Sequence, residues 1–206
     1  MSLPASDNFN RPSEYPLAGN WTTAPGANAF DKSTTGVYPP TSRETIMYWN
    51  ADAFGNDQYS QVKLSNMYGN GPAVRIKTSG TTINAYLFIS HDGTSGLDFY
   101  KCVEGSYSQI GSTHARTNSD GDIFKLVVTG TAFDMYVNGD LEVSQTDLSL
   151  SSGSAGMIGF SSYKAMDDWE GGDVAAGGGR TTKNTRSWDL GVGAGMAFTI
   201  NKGCSQ

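Results

Sequence analysis

Charge is scarce in this chain of 206 residues, cysteine and histidine are nearly absent, and no long apolar run occurs. Only 17% of residues are charged, and only two cysteines and two histidines are present. Cys102 and Cys204 cannot build a disulfide framework, and the scattered His and Cys give no zinc-ligand spacing. No stretch approaches the roughly 18 apolar residues of a membrane span. The first 20 residues lack the basic and apolar regions of a signal peptide. The expectation is a product of the cytoplasm with no membrane partner. A G-x-S-x-G elbow is also missing, and His91 and His114 both sit among turn residues.

What is abundant is glycine, at 26 residues, with much Ser, Thr and Asn. That composition suits short strands joined by tight turns. The net charge of −6 is uneven: residues 175–206 carry +3 and residues 1–174 carry −9. An acidic body disfavours nucleic acid as a partner.

Period-two alternation marks half-buried strands. Residues 58–65 set Tyr59, Gln61 and Lys63 against Val62 and Leu64. Residues 73–78 set Val74 and Ile76 against Arg75 and Lys77, and residues 84–90 set Ala85, Leu87 and Ile89 against Tyr86 and Phe88. Residues 97–103 set Leu97 and Phe99 against Asp98 and Tyr100. Residues 44–50, 107–113, 157–160 and 166–170 read as further strands, while 24–40 is loop-rich. Asn138-Gly139 invites a two-residue type I′ hairpin loop, which sets Val137 opposite Asp140 and Met135 opposite Glu142. A three-residue loop over 137–139 instead pairs Met135 with Leu141 and Phe133 with Val143. That second register is the expectation, because it keeps charge away from apolar partners.

The segments around Asp7-Asn8-Phe9 and Asp167-Asp168-Trp169-Glu170 read as first and last strands that pair. The fold class is therefore all-β: an antiparallel two-sheet β-sandwich, or jelly roll, over residues 1–174. A Gly-rich linker and C-terminal extension follow over 175–206. If the end strands pair, Asp7, Asp167 and Asp168 come together, and a structural calcium ion is the one cofactor left open. Glycan binding calls for exposed rings, and Tyr86, Tyr100 and Tyr107 are the candidates. Trp188, Leu190, Met196, Phe198 and Ile200 could anchor the extension to a partner.

An ordered series of segments resembles concanavalin-like (laminin-G-like) jelly-roll domains, above all the uncharacterised versions among bacteriophage genes. The series is D-N-F-N-R, G-N-W-T, N-D-Q-Y-S-Q-V-K-L, G-P-A-V-R-I, D-G-D-I-F-K-L-V-V-T-G, M-Y-V-N-G-D and A-M-D-D-W-E-G-G-D. It covers roughly residues 5–174. The resemblance implies two curved sheets packed face to face, a fold that hosts lectins, glycanases, adhesion modules and virion accessory proteins. The glycanases of this fold carry E-x-D-x-x-E on one strand. None of the five glutamates here has Asp two residues later.

These readings lead to a non-catalytic structural protein: a bacteriophage virion component, on capsid or tail, attached to other virion proteins through the extension and able to self-associate. A carbohydrate-binding module is the alternative, and a polysaccharide-cleaving enzyme, using Asp168 and Glu170, is a further one. Deleting residues 175–206 is expected to leave a folded domain, checked by an unchanged circular-dichroism spectrum and a single cooperative melt.

Overall fold

The computed structural model describes residues 3–40, 44–65, 68–91, 95–160 and 165–174. The extension, with Cys204 and the five anchoring residues proposed for it, lies outside these. Sixteen strands and no helix occur among the described residues. In one sheet, β1 (Ala5–Asp7), β3 (Asp31–Ser33), β4 (Gly36–Tyr38), β6 (Gln58–Ser65), β12 (Ile123–Thr129), β13 (Ala132–Val137), β14 (Asp140–Thr146) and β16 (Ala165–Asp173) assemble. Their order is β14-β13-β12-β6-β16-β4-β3, with β1 also on β16. We call this the terminal sheet, because the first and last strands pair within it, Ser6 opposite Glu170.

The other sheet, here the medial sheet, holds β2 (Trp21–Thr23), β5 (Thr45–Trp49), β7 (Gly71–Ile76), β8 (Ala85–Ser90), β9 (Ser95–Val103), β10 (Ser106–Gln109), β11 (His114–Thr117) and β15 (Ser154–Gly159). Its order is β10-β9-β8-β7-β15-β5-β2, with β11 on β9. Every strand pair in both sheets is antiparallel. The two-sheet antiparallel sandwich expected from the alternation is the fold observed. The strands β2, β3, β4 and β11 are three or four residues long, too short for a period to register in the sequence.

The inner faces meet through aromatic pairs. Phe88 on β8 stacks on Phe124 of β12 at 4.9 Å, and Tyr86 of β8 lies 4.3 Å from Phe133 of β13. At the other end, Trp21, Trp49 and Trp169 converge, with centroids 4.7–5.5 Å apart. Each indole N–H is satisfied, by Asp7, Asp52 and Ser60 respectively. Ser60 in turn donates 2.6 Å to the Gly156 carbonyl, tying β6 to β15 across the sandwich.

Trp169 owes its inward direction to a bulge. Met166 and Trp169 are three residues apart and should face opposite ways, yet both belong to the core. Asp167 opposes Lys63 and Glu170 opposes Gln61, so β16 spends one extra residue there. Asp168 adopts φ 47° in the left-handed region to allow it. A side chain on Gly171 would come within 2.5 Å of the Trp169 ring.

A second bulge corrects the expectation for β7. Val74 enters the inter-sheet core, but Ile76 joins a separate apolar cluster on the far face of the medial sheet. Between them Arg75 sits at φ 50°, which resets the alternation. Its guanidinium is buried and donates to the carbonyls of Asn56, Gly130 and Leu150, with the Phe133 ring 5.7 Å away. That far-face cluster contains Ile46, Ala73, Leu87, Cys102 and Ile158, so β7 and β8 are buried on both sides. Burial pushes the Cys102 thiol up to about 11.

The β13–β14 hairpin also departs from the expected register. Val137 pairs with Asp140, and Asn138 and Gly139 take φ of 53° and 88°, the two-residue loop. A bulge at Glu142 then brings Val143 opposite Met135. Asp140 faces solvent at the sheet edge, so the charge that argued against this register is never buried.

Replacing Trp169 with Ala should cost about 3–5 kcal/mol of stability, the usual loss for a large core aromatic. Asp168→Gly should instead stabilise by up to about 1 kcal/mol, by relieving the left-handed backbone. Urea unfolding of the two variants measures both.

Candidate functional site

The outer face of the terminal sheet carries one straight cross-strand row. Register sets Ser6 beside Glu170, Glu170 beside Gln61, Gln61 beside Lys125, Lys125 beside Tyr136 and Tyr136 beside Leu141. Five inter-strand spacings make the row about 24 Å long. Two grooves flank it and share Gln61. One, of about 500 Å³, is lined by Ser6, Asp7, Asn8, Asp168 and Glu170. The other, of about 350 Å³, is lined by Ile123, Lys125, Val127, Tyr136 and Gly139. One half of the face is acidic; the other is apolar, with Ile123 and Leu141 exposed.

Tyr59 holds the middle of this face rigid. Its hydroxyl donates 2.7 Å to Glu170, and the Lys125 ammonium sits 4.0 Å over its ring. A side chain at Gly172 would approach the ring within 2.9 Å. Tyr59 is thus engaged within the sheet, and Tyr136 lines the second groove. Burial, then the Glu170 carboxylate, push the Tyr59 phenol well above its usual range. Burial holds the Lys125 ammonium below its usual range, against the pull of Glu170.

Asp168 and Glu170 line the same groove, as the sequence suggested, though Asp168 does so as the extra residue of the bulge. Asp168 lies 3.5 Å from Lys63. Burial raises the Asp167 carboxyl, and Asp168 and Asp7 add to that rise.

Strand pairing brings Asp7 beside β16, but the calcium grouping does not follow. Asp7 accepts from Arg11 and the Phe9 N–H through one oxygen and from Trp21 through the other. Its charge is matched by Arg11 at 2.6 Å. Among the described residues no group of three His, Cys, Asp or Glu is placed to hold a metal ion.

The three tyrosines expected to present rings to glycans are separated. Tyr86 is fully buried in the inter-sheet core, because its side of β8 faces the terminal sheet. Tyr100 and Tyr107 do share a face, the far side of the medial sheet, where they pack half-buried over the second apolar cluster. Tyr107 meets Phe160 edge-on at 5.9 Å. Tyrosine periodicity alone does not say which of two faces is the outside. Gln61 and Lys63 were legible as the polar side of β6; their alignment with Lys125 and Tyr136 depends on register.

No family model matches the chain, and no curated protein does. Solved structures do. A carbohydrate-binding module, CBM66 from Bacillus subtilis, superposes with a TM-score of 0.53 at 18% identity, over 75% of this chain and 93% of its own. A prokaryotic β-1,3-1,4-glucanase (lichenase) from a mouse hindgut metagenome gives 0.51 at 13%, over 82% and 98%. The Crh5 transglycosylase gives 0.51 at 10%, over 84% and 86%. The likenesses show the fold: the chain is a jelly-roll β-sandwich.

Tyr86 donates 2.6 Å to Asp147, and burial followed by that carboxylate pushes its phenol up to about 12. An unfolded tyrosine titrates near 10. The folded state thus holds its proton longer, and stability complete below pH 10 is lost as pH rises from 10 to about 12. Chemical denaturation across this range should show the fall, and Tyr86→Phe should lessen it, the raised phenol of Tyr59 contributing the rest.

Proposed function

We propose that this domain is a non-catalytic carbohydrate-binding module whose ligand lies along the outer face of the terminal sheet. The observation that carries the reading is the row from Ser6 through Glu170, Gln61 and Lys125 to Tyr136 and Leu141. It offers an acceptor, an amide, an ammonium, a ring and an apolar edge in line. Sugar hydroxyls pair with the first three, and the C–H faces of the pyranose lie on Tyr136 and the exposed aliphatics. The far face of the medial sheet offers no equivalent, since its apolar floor is buried beneath tyrosines and Phe160. Likeness in fold to a carbohydrate-binding module supports the same reading.

Non-catalytic action is favoured by the engagement of the two groove acids. Glu170 takes the Tyr59 hydroxyl and Asp168 neighbours Lys63, and no E-x-D-x-x-E strand exists. The bacteriophage-particle role expected from sequence draws no support from the structural likenesses.

On an array of neutral polysaccharides the domain should bind at least one, with no release of reducing ends. Tyr136→Ala and Gln61→Ala should each weaken that binding at least tenfold, about 1.4 kcal/mol in a calorimetric titration. Tyr100→Ala should leave it unchanged. Binding that survives both groove substitutions, or that vanishes with Tyr100, overturns the assignment.

A further inference from the structure

Away from this face, β9 and β11 border a cavity of about 570 Å³ lined by His91, Ser95, Gly96, Thr113, Arg116 and Thr117, among others. It opens where the β9–β11 register shifts, between the pairs His114 with Leu97 and Thr117 with Ser95. Two features set it apart from the groove. The charged or chargeable side chains in its described lining are His91 and Arg116, both potential cations. No carboxylate is among those described lining residues, although residues 1–174 carry a net −9.

Both side chains are engaged by acids. Asp98 is 3% exposed and accepts from His91 Nδ1 at 2.5 Å, from Thr113 at 2.7 Å and from Gln109 at 2.9 Å. With Nδ1 engaged, the ring has Nε2 left to meet a ligand, and an imidazolium donates from both nitrogens at once. Arg116 gives Nε to Glu142 at 2.9 Å and Nη1 to Asp122 at 2.8 Å and to Asn118 at 2.9 Å. Its Nη2 donates to no described residue. A guanidinium fixed by two carboxylates, with one amino group unspent, is pre-organised for an oxyanion.

We propose that this cavity binds an oxyanion group, a carboxylate, sulfate or phosphate, between His91 Nε2 and Arg116 Nη2, with the hydroxyls of Ser95 and Thr117 alongside. The site stands whether or not the terminal-sheet groove binds neutral glycans. The group can arrive as a free inorganic ion or as an acidic substituent on a sugar, and the chemistry at the cavity is the same. Among the described residues, the charged neighbours of His91 and Arg116 are Asp98 on β9, Asp122 before β12, Glu142 on β14, and His114, which lies 3.4 Å from Glu142.

The test uses the full chain, titrated with sodium sulfate, sodium phosphate, a sulfated disaccharide and its unsulfated parent, with amide shifts followed by NMR. Sulfate and phosphate should move the amides of residues 95–96 and 115–117. His91→Gln should weaken this at least tenfold while keeping the wild-type melting curve. Arg116→Gln should abolish it but also breaks two ion pairs, so His91→Gln is the deciding variant. A sulfated disaccharide that binds more tightly than sulfate assigns the anion to a glycan, and equal affinity assigns it to the free ion. Absence of shifts with every anion, or affinity unaltered by His91→Gln, overturns the proposal.

Discussion

Packing of the Trp169 indole between the two sheets is the constraint on which the rest hangs. The ring stacks on Trp49 at 5.3 Å and meets Trp21 edge-on at 4.7 Å, so one side chain of the terminal sheet fills a pocket of the medial one. Its N–H is buried and must find an acceptor. Ser60 supplies it and passes the bond on to Gly156. To point inward, β16 accepts an extra residue and a left-handed Asp168, and that phase change also turns Glu170 outward. Core and candidate site are thus set by the same kink. Without it, the indole would lie on the groove and the carboxylate in the core, where an unpaired charge is costly.

The sandwich also has an asymmetry with functional weight. Its medial sheet is buried on both faces over β7 and β8, with a second apolar cluster capped by Tyr48, Tyr100, Tyr107 and Phe160. The terminal sheet keeps one face polar and open, with β6 alternating buried and half-buried at every residue. A polar ligand has little to gain on a sealed apolar surface, because it would lose hydration without recovering hydrogen bonds. The open sheet can exchange water for ligand group by group.

Much of the architecture was legible in advance, because two-sided strands print their faces into the sequence. Tyr59, Gln61 and Lys63 against Val62 and Leu64 is such a print, and the pairing of β1 with β16 followed from acidic aromatic segments at 6–11 and 165–172. Reading failed wherever one residue broke the period. Arg75 and Asp168 each reset the alternation with a positive φ; arginine ordinarily avoids that region, and aspartate, which tolerates it, does not by itself mark a bulge. In the β13–β14 hairpin, pairing rules rejected Val137 opposite Asp140. They did not foresee that an edge strand leaves Asp140 in water and that a bulge at Glu142 restores the apolar pairing one step later.

By itself, then, the chain's order of residues determined the all-β class, most strand positions and the lack of a glycanase motif. These are local properties, set by side-chain period and turn chemistry. Which side of each strand faces out was decided only when the sheets packed. Tyr86 and Tyr100 look alike in sequence, yet one lies in the inter-sheet core and the other on the far face. The row from Ser6 to Leu141 draws on three consecutive strands, β12 to β14, and on β6, β1 and β16 far from them along the chain, and the cavity between His91 and Arg116 on separate segments. Such groupings arise from strand order and register, which are fixed by long-range burial that no local stretch encodes.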